Sequence, residues 1–402
     1  MVFPTQGHLF RALPIALALS ACGGESAPPV TAEESLEVTE TYARILHAAY
    51  SDAVTGAQAL DGAIDAMLAS PSESTLTAAR TAWTASRPAY LETEVARFYD
   101  GPIDDPETGP EGLVNAWPLD EAYIDYVVDA SGTPVEGGLI YDDAELPTID
   151  EASIAERNQV GSEENVSTGY HAVEFLLWGQ DRSTTGPGAR AHTDYVEGGE
   201  ATGVARRRAY LAATSSLLVT HLEEVRDAWS ESAGNYRADM IAAADEDPRE
   251  PLRRILVGMG SLSGAELAGE RMNVAYMTKE QEDEHSCFSD TTLQDQLHDA
   301  IGIRNVYLGR YTRTDGSVVE GESLSDLVAS RDADLDARMR EQLDASVTAI
   351  EAIPGPFDQA ILGTDDAAGR VAIAAAVDAL RAQTRTIAEI AALLGVTINL
   401  EE

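Results

Sequence analysis

Within Gly169-Tyr170-His171-Ala172-Val173-Glu174-Phe175-Leu176-Leu177-Trp178-Gly179, an imidazole and a carboxylate stand three residues apart in an apolar run closed by glycine. In a helix that spacing puts His171 and Glu174 one turn apart on one face, with Trp178 continuing the stripe. Val166, Tyr170, Val173 and Leu177 make a neighbouring apolar stripe, so a helix is expected. A nitrogen donor and an oxygen donor one turn apart can share one divalent metal ion. A bare H-x-x-E more often marks a helical histidine beside a solvated glutamate. Here Tyr, Phe, Leu and Trp surround the pair, and two ionisable groups in such a setting are costly unless paired or bound.

Two ligands do not hold a metal firmly, so further donors are expected. Glu94 is the candidate third ligand, with Asp120 behind it. A histidine with carboxylates and no thiolate suits iron, manganese or zinc, and iron or zinc is the expected ion. Arg87, Tyr90, Glu94 and Arg97 recur as a polar stripe, flanked by aromatic residues, on the helix expected there. Ser263, Glu266 and Glu270 repeat that spacing in the second half of the chain, with Arg271 beside them. His285 and Asp290 lie in an acidic, irregular stretch. All are candidate ligand-binding residues. The bland readings are an exposed pair of acids for Glu266 and Glu270, and a loop histidine for His285.

The elements that must position these residues are mainly helical, with no run of clean period-2 strands. Helices are expected from Thr31 to about Ser70 and from Leu76 to about Tyr99, the second kinked at Pro88. Gly101 to Pro147 reads as loop with a short helix near Trp117 to Val128. Further helices are expected from Arg206 to about Ser230, Pro251 to about Tyr276, Asp295 to Leu308 and Thr364 to Leu394. Gly258-x-Gly260 follows no strand, which argues against a dinucleotide site. The repeated stripe, and the likeness of Asn305-Val306-Tyr307-Leu308-Gly309 to Phe175-Leu176-Leu177-Trp178-Gly179, suggest two related bundles. The expected architecture is therefore all-α. It has two four-helix-bundle-like domains, 33–190 and 200–402, and a cleft between them that is a usual place for a ligand. In that pairing Ile301 and Arg304 replace His171 and Glu174, so a metal site belongs to the first copy alone.

Sixty-nine acidic and 27 basic residues give a formal charge of −42, and Lys279 is the only lysine. Such a chain repels nucleic acid and anionic lipid surfaces. Apolar content of 44% is ordinary for a globular protein. Arg11 precedes the apolar run Ala12 to Leu19, too short to span a bilayer. Leu19-Ser20-Ala21-Cys22 follows and looks like a bacterial lipoprotein signal, with residues 1–21 removed and Cys22 carrying lipid. The alternative is an ordinary secretory leader cut after Ala21. Residues 22–32 suit a flexible tether. Cys287 then has no partner for an internal disulfide and is expected to be a small buried residue.

Gly169-Tyr170-His171-Ala172-Val173-Glu174 fits the G-x-H-x-x-E motif of the imelysin-like family, named for an insulin-cleaving bacterial membrane protease. Trp117-Pro118-Leu119-Asp120-Glu121, Gly258-Met259-Gly260-Ser261-Leu262-Ser263 and Glu284-His285-Ser286-Cys287-Phe288-Ser289-Asp290 add to the likeness. The chain most resembles the iron-regulated protein A branch. The resemblance implies an envelope lipoprotein, anchored through Cys22 and on the outer membrane facing the periplasm. It would take part in iron uptake, alongside outer-membrane uptake components, by holding a metal ion or an iron-bearing ligand. The family's name implies the alternative, a metallopeptidase using the H-x-x-E pair as zinc ligands, although the H-E-x-x-H pattern is absent. A scaffold lipoprotein with a vestigial site is a third reading.

Overall fold

Thr31 starts the first helix through a reciprocal cap. Its hydroxyl accepts from the Glu34 N–H at 3.2 Å, and the Glu34 carboxylate accepts from the Thr31 N–H at 2.9 Å. A computed structural model describes residues 28–400; the leader, Cys22 and residues 23–27 of the tether lie outside the described residues. Among the described residues nine longer helices carry the fold: α1 Ala32–Ala69, α2 Glu73–Leu91, α3 Gly169–Trp178, α4 Val204–Ala228, α5 Tyr236–Glu246, α6 Arg249–Ser261, α7 Thr292–Leu308, α8 Ala333–Glu351 and α9 Ala368–Leu393. Two short antiparallel hairpins, Val127–Val128 with Pro134–Val135 and Arg310–Thr312 with Val318–Glu320, are the described strands. The all-α expectation holds. No described helix is long and apolar enough to cross a membrane.

α2 is shorter than its sequence suggests. It ends at Leu91, one turn past Pro88, and a separate turn Glu94–Ala96 follows. Pro88 lies inside the helix, and Glu94 and Arg97 lie beyond its end, off the helix axis. Phe98 and Asp100 then take left-handed backbone conformations. The Asp104 carboxylate accepts the N–H groups of Phe98, Tyr99 and Gly101 and holds that bend. α6 continues without a break through a π-helical stretch, Leu262–Val274, and a last turn, Ala275–Thr278. The i→i+5 closure of a π turn brings residues five apart together, and Arg271 Nε donates to Glu266 Oε1 at 3.0 Å.

Apolar packing forms two main clusters. The larger runs from Val38 on α1 to Val396 and includes α2, α3, α4 and most of α6. The smaller joins Leu267 and Met272 of the π stretch, Ala300 of α7, Val347 and Ile350 of α8 and Ile373, Val377 and Leu380 of α9. α4 packs along α1 and α3, whereas the expected division placed it with the second half of the chain. α7 packs on α2, and α6 on the Glu94–Ala96 turn. Residues distant in sequence thereby meet around one polar centre.

Candidate functional site

α3 is buried on every side, with His171 1% exposed and Glu174 not at all. Gly169 opens it at φ +85°, where a Cβ would lie 2.5 Å from the Val114 carbonyl oxygen. Glycine alone tolerates both the backbone conformation and that approach. The helix therefore starts hard against the turn Glu111–Val114, which delivers Asn115 to the same centre.

His171 and Glu174 bind each other. Glu174 Oε2 lies 2.9 Å from His171 Nδ1. Glu174 Oε1 accepts the Ser289 N–H at 2.9 Å and the Ser289 hydroxyl at 2.7 Å. On its far side, His171 Nε2 faces His285 Nε2 at 3.3 Å. His285 Nδ1 lies 2.8 Å from Asp295 Oδ2, which also accepts from the Ser286 hydroxyl at 2.5 Å and Arg87 Nη2 at 3.0 Å. The result is a linear chain, Glu174–His171–His285–Asp295–Arg87, in which every side chain is at most 2% exposed.

The chain extends into a network. Arg87 Nη1 donates to Asn115 Oδ1 at 2.7 Å, and Asn115 Nδ2 donates to Glu94 Oε1 at 2.7 Å. Arg271 pairs with Glu94 at 2.5 Å, Glu266 at 2.8 Å and Asp299 at 2.8 Å. Arg97 pairs with Glu111 at 3.0 Å and Glu94 at 3.4 Å. The network draws on elements of both apolar clusters.

Burial sets the protonation. It raises the Glu174 carboxyl to about 8 in spite of the Ser289 bonds. It lowers His171 well below the ordinary range, as do the charges of His285 and Arg87. His285 falls to about 4 through burial and the nearby Arg271. Burial alone would raise Asp295, but Arg87 and His285 hold it well below the carboxylate range. Burial likewise opposes ionisation of Glu94, which Arg271 and Arg97 nevertheless keep low; Asp299, on the other side of Arg271, is driven well up by burial. Bonding partners and burial assign one proton arrangement. The Glu174 hydroxyl donates to His171 Nδ1, His171 Nε2–H to His285 Nε2, and His285 Nδ1–H to ionised Asp295.

His171, Glu174, Glu94, Arg87, Arg97, Glu266, Arg271 and His285 thus meet in one network. Tyr90 borders it through its ring, 5.0 Å from that of Tyr170 and 5.7 Å from the Arg87 guanidinium. Four other candidates stand apart. Asp120 is exposed and caps a short helix by accepting the Ala122 N–H at 3.0 Å. Ser263 donates to the Leu380 carbonyl at 3.0 Å and joins Gln383 and Thr384 between α6 and α9. Glu270 is exposed. Asp290 is half-buried, with a left-handed backbone at φ +57°. Glu174 directs its oxygens at His171 and Ser289. Among the described residues, no three His, Cys, Asp or Glu side chains are arranged to hold a metal ion.

Sequence reading missed Asn115, Ser289, Asp295 and Asp299. The segment Glu284 to Asp290 was singled out, and Ser289 lies in it, but no spacing rule ties Asp295 to Arg87 across the chain.

Residues 46–387 match the family model described as Imelysin. An iron-regulated protein A from Synechococcus elongatus is 24% identical over 346 residues, 84% of this chain and 80% of that protein. A solved structure described as an iron-regulated protein A precursor, from Parabacteroides distasonis, covers 91% of this chain and 96% of its own at TM-score 0.69 and 19% identity. An imelysin-like protein from Psychrobacter arcticum covers 93% and 99% at TM-score 0.64 and 14% identity. The chain belongs to the imelysin family.

Proposed function

We propose that the chain is an envelope lipoprotein that binds a divalent transition metal, or a ligand carrying one, through the facing Nε2 atoms of His171 and His285. One observation carries this reading: two imidazole nitrogens 3.3 Å apart, each ring held at Nδ1 by a buried carboxyl group. Two nitrogens on one tetrahedral ion, each at about 2.0–2.1 Å, stand about 3.3 Å apart. The donor set therefore fits an ion in place of the proton between the rings. Carboxyl groups behind histidine ligands are the usual outer support of such sites, fixing tautomer and ring orientation. Glu174 and Asp295 would play that part, while Arg87 and Asn115 hold Asp295 and Glu94. Two protein donors leave positions open for donors on the metal's own carrier, which favours a metal-bearing ligand. Iron is the expected ion, in keeping with the iron-regulated name of a relative.

The H-x-x-E pair as joint zinc ligands, the metallopeptidase reading, would require Glu174 Oε2 to exchange His171 Nδ1 for the ion. The lipid at Cys22, the outer-membrane location and contact with iron-uptake components are part of the proposal. The test is elemental analysis and calorimetry with iron and zinc. Retention is expected in wild type and lost in His171→Ala and His285→Ala; equal binding by wild type and both variants refutes it. Chelator-sensitive cleavage of insulin by the pure protein would favour the peptidase.

A further inference from the structure

At the C-terminal end of α3 lies a cavity of about 370 Å³ that the reading above does not use. The segment after α3 folds back to build it. The Arg190 N–H donates to the Trp178 carbonyl at 2.7 Å, and the Gly188 N–H to the Phe288 carbonyl at 2.9 Å. A Cβ at Gly188 would lie 2.7 Å from the Gly179 carbonyl oxygen, so this backbone crossing requires glycine. Tyr126, Val128, Trp178 and Pro187 give the cavity an apolar wall, and Arg182 and Arg190 give it two guanidinium groups. Its size suits a small organic molecule.

Arg190 is fixed within the fold, its side chain 1% exposed. Its bonds to Asp125 Oδ2 at 2.7 Å and Asp194 Oδ2 at 3.2 Å both leave from Nη1. Arg207 grips the same Asp125 carboxylate through Nε at 2.7 Å and Nη2 at 2.8 Å, so one buried acid answers two guanidinium groups. The buried Arg190 Nε has no hydrogen-bond partner among the described residues. A Cβ at Gly179 would stand 3.5 Å from that nitrogen, so the glycine leaves this edge of the guanidinium uncovered. Asp181, the carboxylate in the cavity wall, is already taken up by the Ser183 N–H at 2.8 Å and the Gln281 amide. Buried donors are ordinarily satisfied, and a guanidinium edge left open at a cavity wall points to an acceptor that a ligand brings.

We propose that this cavity binds a small aromatic carboxylate, separately from the imidazole pair, with its acid group on Arg190 and its ring against Trp178. A carboxylate matches a guanidinium in charge and in planar, forked geometry. The Trp178 and Tyr126 rings favour a flat apolar body over a flexible polar one. Arg182 is exposed and adds a second cation. A chain of formal charge −42 repels small anions over most of its surface, so the arginines of the cavity select an anion there.

The probe is 2-aminobenzoate, a fluorescent aromatic carboxylate, with its neutral amide, 2-aminobenzamide, as the comparison. The full chain is titrated into each, and fluorescence polarisation reads the bound fraction. One saturable equivalent is expected for the acid, with the amide weaker by about tenfold. Ala189 lies exposed in the cavity wall, so Ala189→Trp fills the space without removing a side-chain bond and should weaken the acid by about tenfold. Arg190→Lys keeps a cation for Asp125 but loses the free Nε–H and the fork, and should weaken it by about tenfold as well. Arg381→Gln, at an exposed arginine of α9, should bind as wild type. Circular dichroism checks the fold of each variant, and Ala189→Trp decides should Arg190→Lys fail to fold. Absence of saturable binding by the acid, equal binding of the amide, or wild-type affinity in folded Ala189→Trp or Arg190→Lys overturns the proposal.

Discussion

Replacing Glu174 with Gln is expected to flatten the pH dependence of stability in the metal-free protein. Glu174 is fully buried, and its carboxyl stands at about 8 against an ordinary 4.5. A group raised in the folded state contributes stability that is fully present below the unfolded value. That contribution is lost as pH rises through the folded one. At about 1.36 kcal/mol per pH unit, the whole effect is about 5 kcal/mol, of which about 3 kcal/mol falls between pH 6 and 9. Gln cannot ionise, yet its carbonyl still accepts from Ser289 and its amide still faces His171 Nδ1. Other raised acids, including Glu284 at about 9, act in the same direction, so the informative quantity is the difference between the two proteins. Urea midpoints are measured in chelator from pH 5 to 9 and converted through the m-value. Wild type should lose about 3 kcal/mol more than the variant between pH 6 and 9. Parallel profiles would refute the assignment of a buried, protonated Glu174.

Further expectations follow from the same geometry. Arg271→Met should cost about 3–5 kcal/mol in urea unfolding, because buried Glu94 loses its nearest cation and keeps only the longer Arg97 contact. Gly169→Ala should cost about 3 kcal/mol or more, since a Cβ at φ +85° is strained and meets the Val114 backbone. Asp120→Ala should cost about 1 kcal/mol through the lost cap and leave iron and zinc retention at the wild-type level by elemental analysis. Glu174→Gln should weaken metal binding by about 10–100-fold in calorimetry without abolishing it, as expected of a group that orients a ligand. Cys22→Ser should release the chain from the membrane fraction on cell lysis if the lipid anchor is as proposed.

Local patterning was enough to read the helical class, the α3 stripe, the long first and last helices and the apolar setting of His171 and Glu174. These follow from periodicities within a few turns, which a single chain carries openly. The cap at Thr31 and the break after Pro88 are likewise local, although the sequence reading carried α2 as far as Tyr99. Tertiary packing alone decided that His285 faces His171, that Asp295 answers Arg87, and that Asn115 joins Arg87 to Glu94. Those partners come from α2, α3, α7 and two connecting segments, and no spacing rule links residues whose elements meet only when the core closes. The role of Glu174 changed for the same reason. Its spacing on the helix offers it as a ligand, whereas burial against Ser289 makes it the hydrogen-bonding partner that holds the His171 ring.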